Sequence, residues 1–210
     1  MFYPDRLAAA KMLGYYAERL NGVELNGSFY RTPPPSTLAG WSGQAPHGFR
    51  FCFKAHRGLT YSGEAFDREG LARDVGRRLA VLEERLGPVL VQFPPTRAVD
   101  PGHLDALLGA LQVRAAVEFR DPSWFREDVY RLLRAHHAAL VVTDQDKWPA
   151  APRLELSSFG YYRLRRDYEP AELERWRREL RSECQGREEL HVYFRHEPQA
   201  PAWAMRILES

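Results

Sequence analysis

The sequence predicts an α/β fold of the (β/α) TIM-type barrel class, one domain over residues 1–210, with seven strands recognisable and the ring's first strand apparently lacking. Three observations predict it. Helix-like and strand-like segments alternate from end to end with short connections. Several strands are apolar on both faces, which is how a parallel sheet covered on both sides reads. Polar and charged residues gather at the strands' C-terminal ends, where (β/α) barrels build their sites. The phosphate-loop and dinucleotide glycine signatures are absent, which removes the usual support for an open doubly wound sheet.

Each element has its own signal. Leu7, Leu13, Ala17 and Leu20 share one face of a first helix behind Pro4-Asp5. Gly22 ends it, and Val23 to Asn26 is a short strand. Pro33-Pro34-Pro35 is a loop, after which Ser36 caps a short helix through Trp41. Phe49 to His56 alternates, with Phe49, Phe51 and Phe53 on one face and Arg50, Cys52 and Lys54 on the other. Phe66, Leu71, Val75, Leu79, Leu82 and Leu86 form one long helical stripe that Gly87-Pro88 stops. Val89 to Phe93 is a strand. Asp100-Pro101 opens a helix as cap and first-turn proline, with Leu104, Leu107, Leu108 and Leu111 buried. Ala115 to Arg120 is a strand, Trp124 to His137 a helix, and Ala139 to Asp144 and Gly160 to Leu164 are strands. Glu169-Pro170 begins a helix with Leu173, Trp176 and Leu180 inward. His191 to Arg195 is the last strand and Ala200 to Leu208 the last helix.

Composition narrows the function classes. Hydrophobic residues are 44% and charged residues 28%, an ordinary globular balance. The net charge of +2 does not demand a nucleic-acid partner, although it does not exclude one. Lys11, Lys54 and Lys147 are the only lysines; the Arg bias reads as genomic or thermophilic composition before phosphate binding. Cys52 and Cys184 read as reduced thiols of a cytoplasmic protein. No apolar run is long enough for a membrane and no signal peptide is visible.

The strand ends carry the candidate site: Glu24 and Asn26, Lys54 and His56, Gln92, Glu118 and Arg120, Asp144, Arg163, and Tyr193, Arg195 and His196. A charge in such a place costs free energy unless it is paired or used. Glu118 and Arg120, two apart, share a strand face and are equally readable as a buried ion pair without chemistry. Lys54 is either a desolvated base or an anion ligand, and Asp144 is either a site residue or a cap of the turn that follows. His136-His137 reads as surface or satisfied core, the tryptophans as packing, and Arg175, Arg177, Arg178 and Arg181 as a solvated helix face. There is no H-E-x-x-H, no clustered Cys/His spacing and no G-x-S-x-G elbow. A divalent metal shared by Glu24, Glu118, Asp144 and His196 is a further reading that sequence alone does not test.

Several motifs then act together. Phe2-Tyr3-Pro4, Val23-Glu24-Leu25-Asn26-Gly27-Ser28-Phe29-Tyr30-Arg31, Phe51-Cys52-Phe53-Lys54, Leu86 to Pro95, Val117-Glu118-Phe119-Arg120 with Ser123-Trp124, and Val192-Tyr193-Phe194-Arg195-His196-Glu197 occur in this order over nearly the whole chain. In this the sequence resembles the YecE-like family, the domain of unknown function numbered seventy-two. The resemblance implies a (β/α) barrel and supplies no reaction. It also implies two departures: relatives place a strand and a Gly-Ser-Gly-Trp-like segment ahead of "FYP", and many carry His-Gly where this chain reads Tyr161 to Arg166.

The expected function is an enzyme-like pocket for a small anionic or phosphorylated ligand. Glu24, Glu118, Asp144 and Lys54 are the catalytic candidates. Asn26, Tyr30, Gln92, Arg120, Arg163, Tyr193, Arg195 and His196 are the binding candidates, with Lys54, Arg120 and Arg195 on the anion. Metal-assisted phosphoester hydrolysis is the sharper version. A non-catalytic nucleic-acid or protein-binding module working through the Arg175 to Arg181 face is the alternative. The absent first strand predicts a gap beside the strand from Val23, and with it a homodimer or lower stability than a full-length relative.

Overall fold

A computed structural model describes residues 2–61 and 67–209. Its elements run α1 (Ala9–Ala17), β1 (Gly22–Leu25), α2 (Pro35–Ser42), β2 (Arg50–Phe53), α3 (Arg68–Leu79), β3 (Val89–Phe93), α4 (Pro101–Leu111), β4 (Ala115–Phe119), α5 (Glu127–Ala135), β5 (Ala139–Leu140), β6 (Val142–Asp144), β7 (Phe159–Leu164), α6 (Pro170–Cys184), β8 (Glu189–Phe194) and α7 (Ala200–Leu208). The β5 and β6 segments are two pieces of one strand parted at Val141, whose N–H still reaches the Val117 carbonyl at 2.9 Å. The expected seven strands are therefore present as eight segments.

Caps set the helix starts. Asp67 accepts from the Gly70 amide and Asp100 from the His103 amide, while Glu169 and Glu172 form a reciprocal capping box on α6. Ser36 does not cap α2, which starts at Pro35 behind an uncapped Pro34. The expected single helix to Leu86 ends at Leu79 and continues as a tight 3-10 segment, Ala80–Arg85, kinked at Glu83 with φ 50°. Phe66, placed at the head of that stripe, lies outside the described residues. Trp124 stands apart from α5 in its own short turn. There it is fully buried, stacked on Phe119 at 4.5 Å and donating to the Arg97 carbonyl.

All described strand pairs are parallel, in three sets: β1 with β2, β3–β4–β5, and β6–β7–β8. A bridge of Lys54 to Leu90, with the Ala55 amide on the Leu90 carbonyl at 2.8 Å, joins β2 to β3. Strand order thus follows chain order. Phe51, Phe53, Val89, Val91, Phe93, Val117 and Phe119 face the helices α3, α4 and α5 in the main core. Their alternate neighbours Cys52, Leu90, Ala116, Ala139, Val141, Phe159 and Tyr161 form a second core on the inner face.

The sheet curls: Tyr161 and Arg163 of β7 both hydrogen-bond Glu24 of β1, at the other edge. It does not close. No hydrogen-bonded ladder joins β1 to β8 among the described residues, so the fold is a mixed α/β arrangement of parallel strands and seven described helices, without a closed barrel. A groove of about 920 Å³ lies between these two edges, walled by apolar side chains such as Leu20, Leu180, Val192 and Ile207. No described helix is long and apolar enough to cross a membrane.

Candidate functional site

The inward positions of successive strands put charges at one level. Counting by twos, β1 presents Glu24, β2 leads to Lys54, β3 presents Gln92, β4 presents Glu118 and β7 presents Arg163, all beyond the inner apolar core. Their side chains form one chain of hydrogen bonds. Lys54 Nζ donates to Gln92 Oε1 at 2.8 Å, and Gln92 Nε2 donates to Glu118 Oε1 at 2.8 Å. Arg120 Nε donates to the same Glu118 oxygen at 2.9 Å. Arg163 donates from Nη1 to Glu118 Oε2 and from Nη2 to Glu24 Oε1, the latter at 2.8 Å. Tyr161 and Asn26 complete the Glu24 carboxylate at 2.9 and 3.1 Å.

Burial makes these contacts matter. The side chains of Arg163, Glu118 and Glu24 are 2%, 3% and 4% exposed. Burial alone would push the Glu118 carboxyl up, but Arg163 and Arg120 outweigh it and hold it below the usual carboxylate range. Burial likewise works against the Arg163 charge, and Glu24 and Glu118 more than offset it. Lys54 has no carboxylate partner among the described residues. Burial, with the Arg163 charge adding to it, brings its ammonium down to about 8. Its Nζ lies 4.1 Å from the centre of the Phe29 ring. Two buried polar atoms nearby on the strands, Arg163 Nε and Thr143 Oγ1, have no hydrogen-bond partner among the described residues.

One residue of this site was not singled out from sequence. Arg165 lies on the β7 parity of Tyr161 and Arg163, just past the strand end, and is half-buried. Burial, then Arg163, lowers its pKa. Among the described residues no hydrogen bond or ion pair engages its guanidinium, and it lines both the groove and a second cavity of about 420 Å³ shared with Asp146, Lys147, Asp167 and Arg195. The parity was readable, but nothing in the run Arg163 to Arg166 says which arginine turns inward. Above the site the Trp148 ring lies 5.4 Å from the Arg120 guanidinium.

Five expected members sit elsewhere. Asp144 is turned to the helix side, holding Arg166, Tyr168 and Trp176, because β6 presents Thr143 inward. It is the local anchor of the turn after β7. Arg195 is on the rim, its charge already met by Asp167 and Glu197 at 3.0 Å each. Tyr193 points below the site and donates to Cys52 Sγ at 3.0 Å. Tyr30 is 69% exposed at the rim and meets His56 only through its own carbonyl; His196 is exposed along the groove.

Beneath lies a separate buried group. Cys52 Sγ is 3.7 Å from His191 Nδ1, and His191 Nε2 is 3.1 Å from Glu189, which also pairs with Arg50 and Arg114. The order resembles nucleophile, base and orienter. Burial pushes the thiol up to about 12, however, and Cys52 is fully buried, so this is a packed support. A Cβ on Gly87 would run into its sulfur, which is why that position needs glycine.

The donor set does not suit a metal. Among the described residues no three His, Cys, Asp or Glu side chains are arranged so that they could hold a metal ion. Between the two nearest carboxylates, Glu24 and Glu118, stands the Arg163 guanidinium.

A family model described as "Protein of unknown function DUF72" matches residues 1–210. The chain belongs to the DUF72 family. A curated relative, the UPF0759 protein YunF of Bacillus subtilis (strain 168), is 31% identical over 138 residues, which is 61% of this chain and 49% of that one. The match thus spans about half of the relative's length. A solved DUF72 structure from Thermotoga maritima MSB8 superposes with TM-score 0.84 at 26% identity, covering 98% of this chain and 91% of that one. Another, from Enterococcus faecalis V583, gives 0.82 at 21%, covering 94% and 92%. The second shows the fold alone; the first adds a distant sequence likeness to it. The family description assigns no reaction to this DUF72 protein.

Proposed function

We propose that this DUF72 protein is an enzyme-like pocket for a small anionic or phosphorylated ligand, on a sheet arranged as an open (β/α) barrel. The observation that carries the proposal is the charge balance at the strand ends. Lys54, Arg120, Arg163 and Arg165 bring four positive groups against two carboxylates, Glu24 and Glu118. Arg163 is consumed by those carboxylates, and Arg120 spends only Nε on Glu118. Among the described residues nothing else engages the outer nitrogens of Arg120, the Arg165 fork or the remaining N–H groups of Lys54, which leaves them to meet a ligand. Guanidinium forks match phosphate and carboxylate oxygens, and like charges in a walled cleft focus potential on an anion.

The carboxylates are poorly placed as acid–base groups, since Glu118 is held ionised and enclosed. They orient the cations. Lys54 is the titratable group best suited to proton transfer near neutrality. The binding-module alternative is weaker, because Arg175 pairs with Glu172 and Glu179, and Arg177 with Glu174.

Thermal unfolding in rising phosphate tests the proposal. At about a hundred times Kd, phosphate stabilises by about 2.7 kcal/mol, roughly 5–10 °C for a chain of this size. Arg165→Ala and Lys54→Met should each remove most of that shift. An equal shift in wild type and both variants would place the anion elsewhere.

A further inference from the structure

We infer that Lys54 is a carbonyl-capturing amine: it condenses with the aldehyde or ketone of a small substrate whose anionic group is held by Arg120 and Arg165. This rests on the anion-binding reading and names the substrate class it serves, a carbonyl compound bearing a carboxylate or phosphate.

The geometry argues against a plain cation tether. A tethering lysine would seat its ammonium on a carboxylate. Here Gln92 stands between Lys54 and Glu118, accepting from the amine with its neutral oxygen and donating to the acid with its nitrogen. The amine has an aromatic face on one side, Phe29 at 4.1 Å, and Arg163 and Arg120 as charged neighbours. Half-burial beside like charge is the setting that frees a lysine's lone pair. With its pKa brought down to about 8, Lys54 holds roughly three hundredfold more neutral amine at pH 7 than an ordinary lysine. Lys11 lies exposed on α1, and Lys147, although its Nζ is 4.9 Å from the Trp148 ring, is exposed in the segment after β6.

The step balances without a co-reactant. The Nζ lone pair attacks the carbonyl carbon and the C=O π pair moves to oxygen. Two protons from the amine and solvent carry that oxygen away as water, and the nitrogen lone pair closes the C=N bond. The resulting iminium keeps the single positive charge that the ammonium carried. It therefore still faces the Gln92 oxygen and the Phe29 ring favourably.

The probe is glyoxylate, which joins an aldehyde to a carboxylate, with borohydride reduction and peptide mass mapping on the full chain. Only three side-chain amines compete, at Lys11, Lys54 and Lys147. Lys54 should gain one carboxymethyl group roughly tenfold faster than Lys11 or Lys147, the surplus expected from its neutral fraction after loss of basicity. Excess phosphate should suppress labelling at Lys54 alone, and Lys54→Arg should abolish it there. Labelling spread evenly over the three lysines, or sparing Lys54, would overturn the inference. If phosphate protection against unfolding persists in that case, the anion pocket stands without a Schiff base. If that protection also fails, both readings fall.

Discussion

Arg163 of β7 reaches across the curled sheet, to Glu24 on the edge strand β1 with one guanidinium nitrogen and to Glu118 on β4 with another. All three side chains are almost wholly enclosed. The contact spans strands that no backbone ladder joins, so a polar network holds what main-chain pairing does not.

Removing Arg163 leaves Glu24 buried with only the neutral donors Tyr161 and Asn26, and Glu118 with Arg120 as its one remaining cation among the described residues. Arg163→Met should cost about 3–5 kcal/mol in urea unfolding. Adding Glu118→Gln to it should recover part of that loss, since the orphaned charge is removed with its partner. A double variant as unstable as the sum of the singles would contradict this.

The pH response separates acid and alkaline limbs. Glu118 is held below its ordinary value, so its stabilisation is present above about pH 4.5 and is lost as pH falls through the lowered folded value. Lys54 has the opposite sense. Its folded value of about 8 lies below the ordinary 10.5, so the unfolded chain binds more protons between them and stability rises with pH across that window. Lys54→Met should flatten the alkaline rise and leave the acid limb unchanged in a chemical-unfolding series.

Asp144 gives a control. Asp144→Asn weakens the hold on Arg166, Tyr168 and Trp176 and should cost about 1–3 kcal/mol of stability. Phosphate affinity should stay within about twofold of wild type, because the group faces the helices. A large affinity loss would return Asp144 to the site.

The groove predicts local dynamics. In hydrogen exchange, groove-facing amides of β1 and β8 should exchange faster than those of β4, which is paired on both sides. Equal protection would mean that the seam is covered.

Much of this was legible in the sequence because strand alternation is a hard rule. Once β1, β4 and β7 are placed, Glu24, Glu118 and Arg163 must share the inner face, and the network follows. Asp144 was misplaced because Ala139 to Val142 is apolar throughout and gives no parity cue, and the ladder parts at Val141. Arg165 was missed because it stands past the strand end, where alternation stops being a guide. The Cys52–His191 group was invisible because its members lie 139 residues apart and meet only when the sheet curls. The gap expected beside the strand from Val23 is there: the sheet curls, but among the described residues no ladder joins β1 to β8.

The anion pocket is the centre of the account, and selenate located by its anomalous scattering in crystals of this protein tests it most directly. The account predicts selenate within hydrogen-bond reach of Arg165, Arg120 and Lys54, lost in Arg165→Ala. Selenate bound only along the Arg175 to Arg181 face, with the strand-end arginines bare, would contradict it.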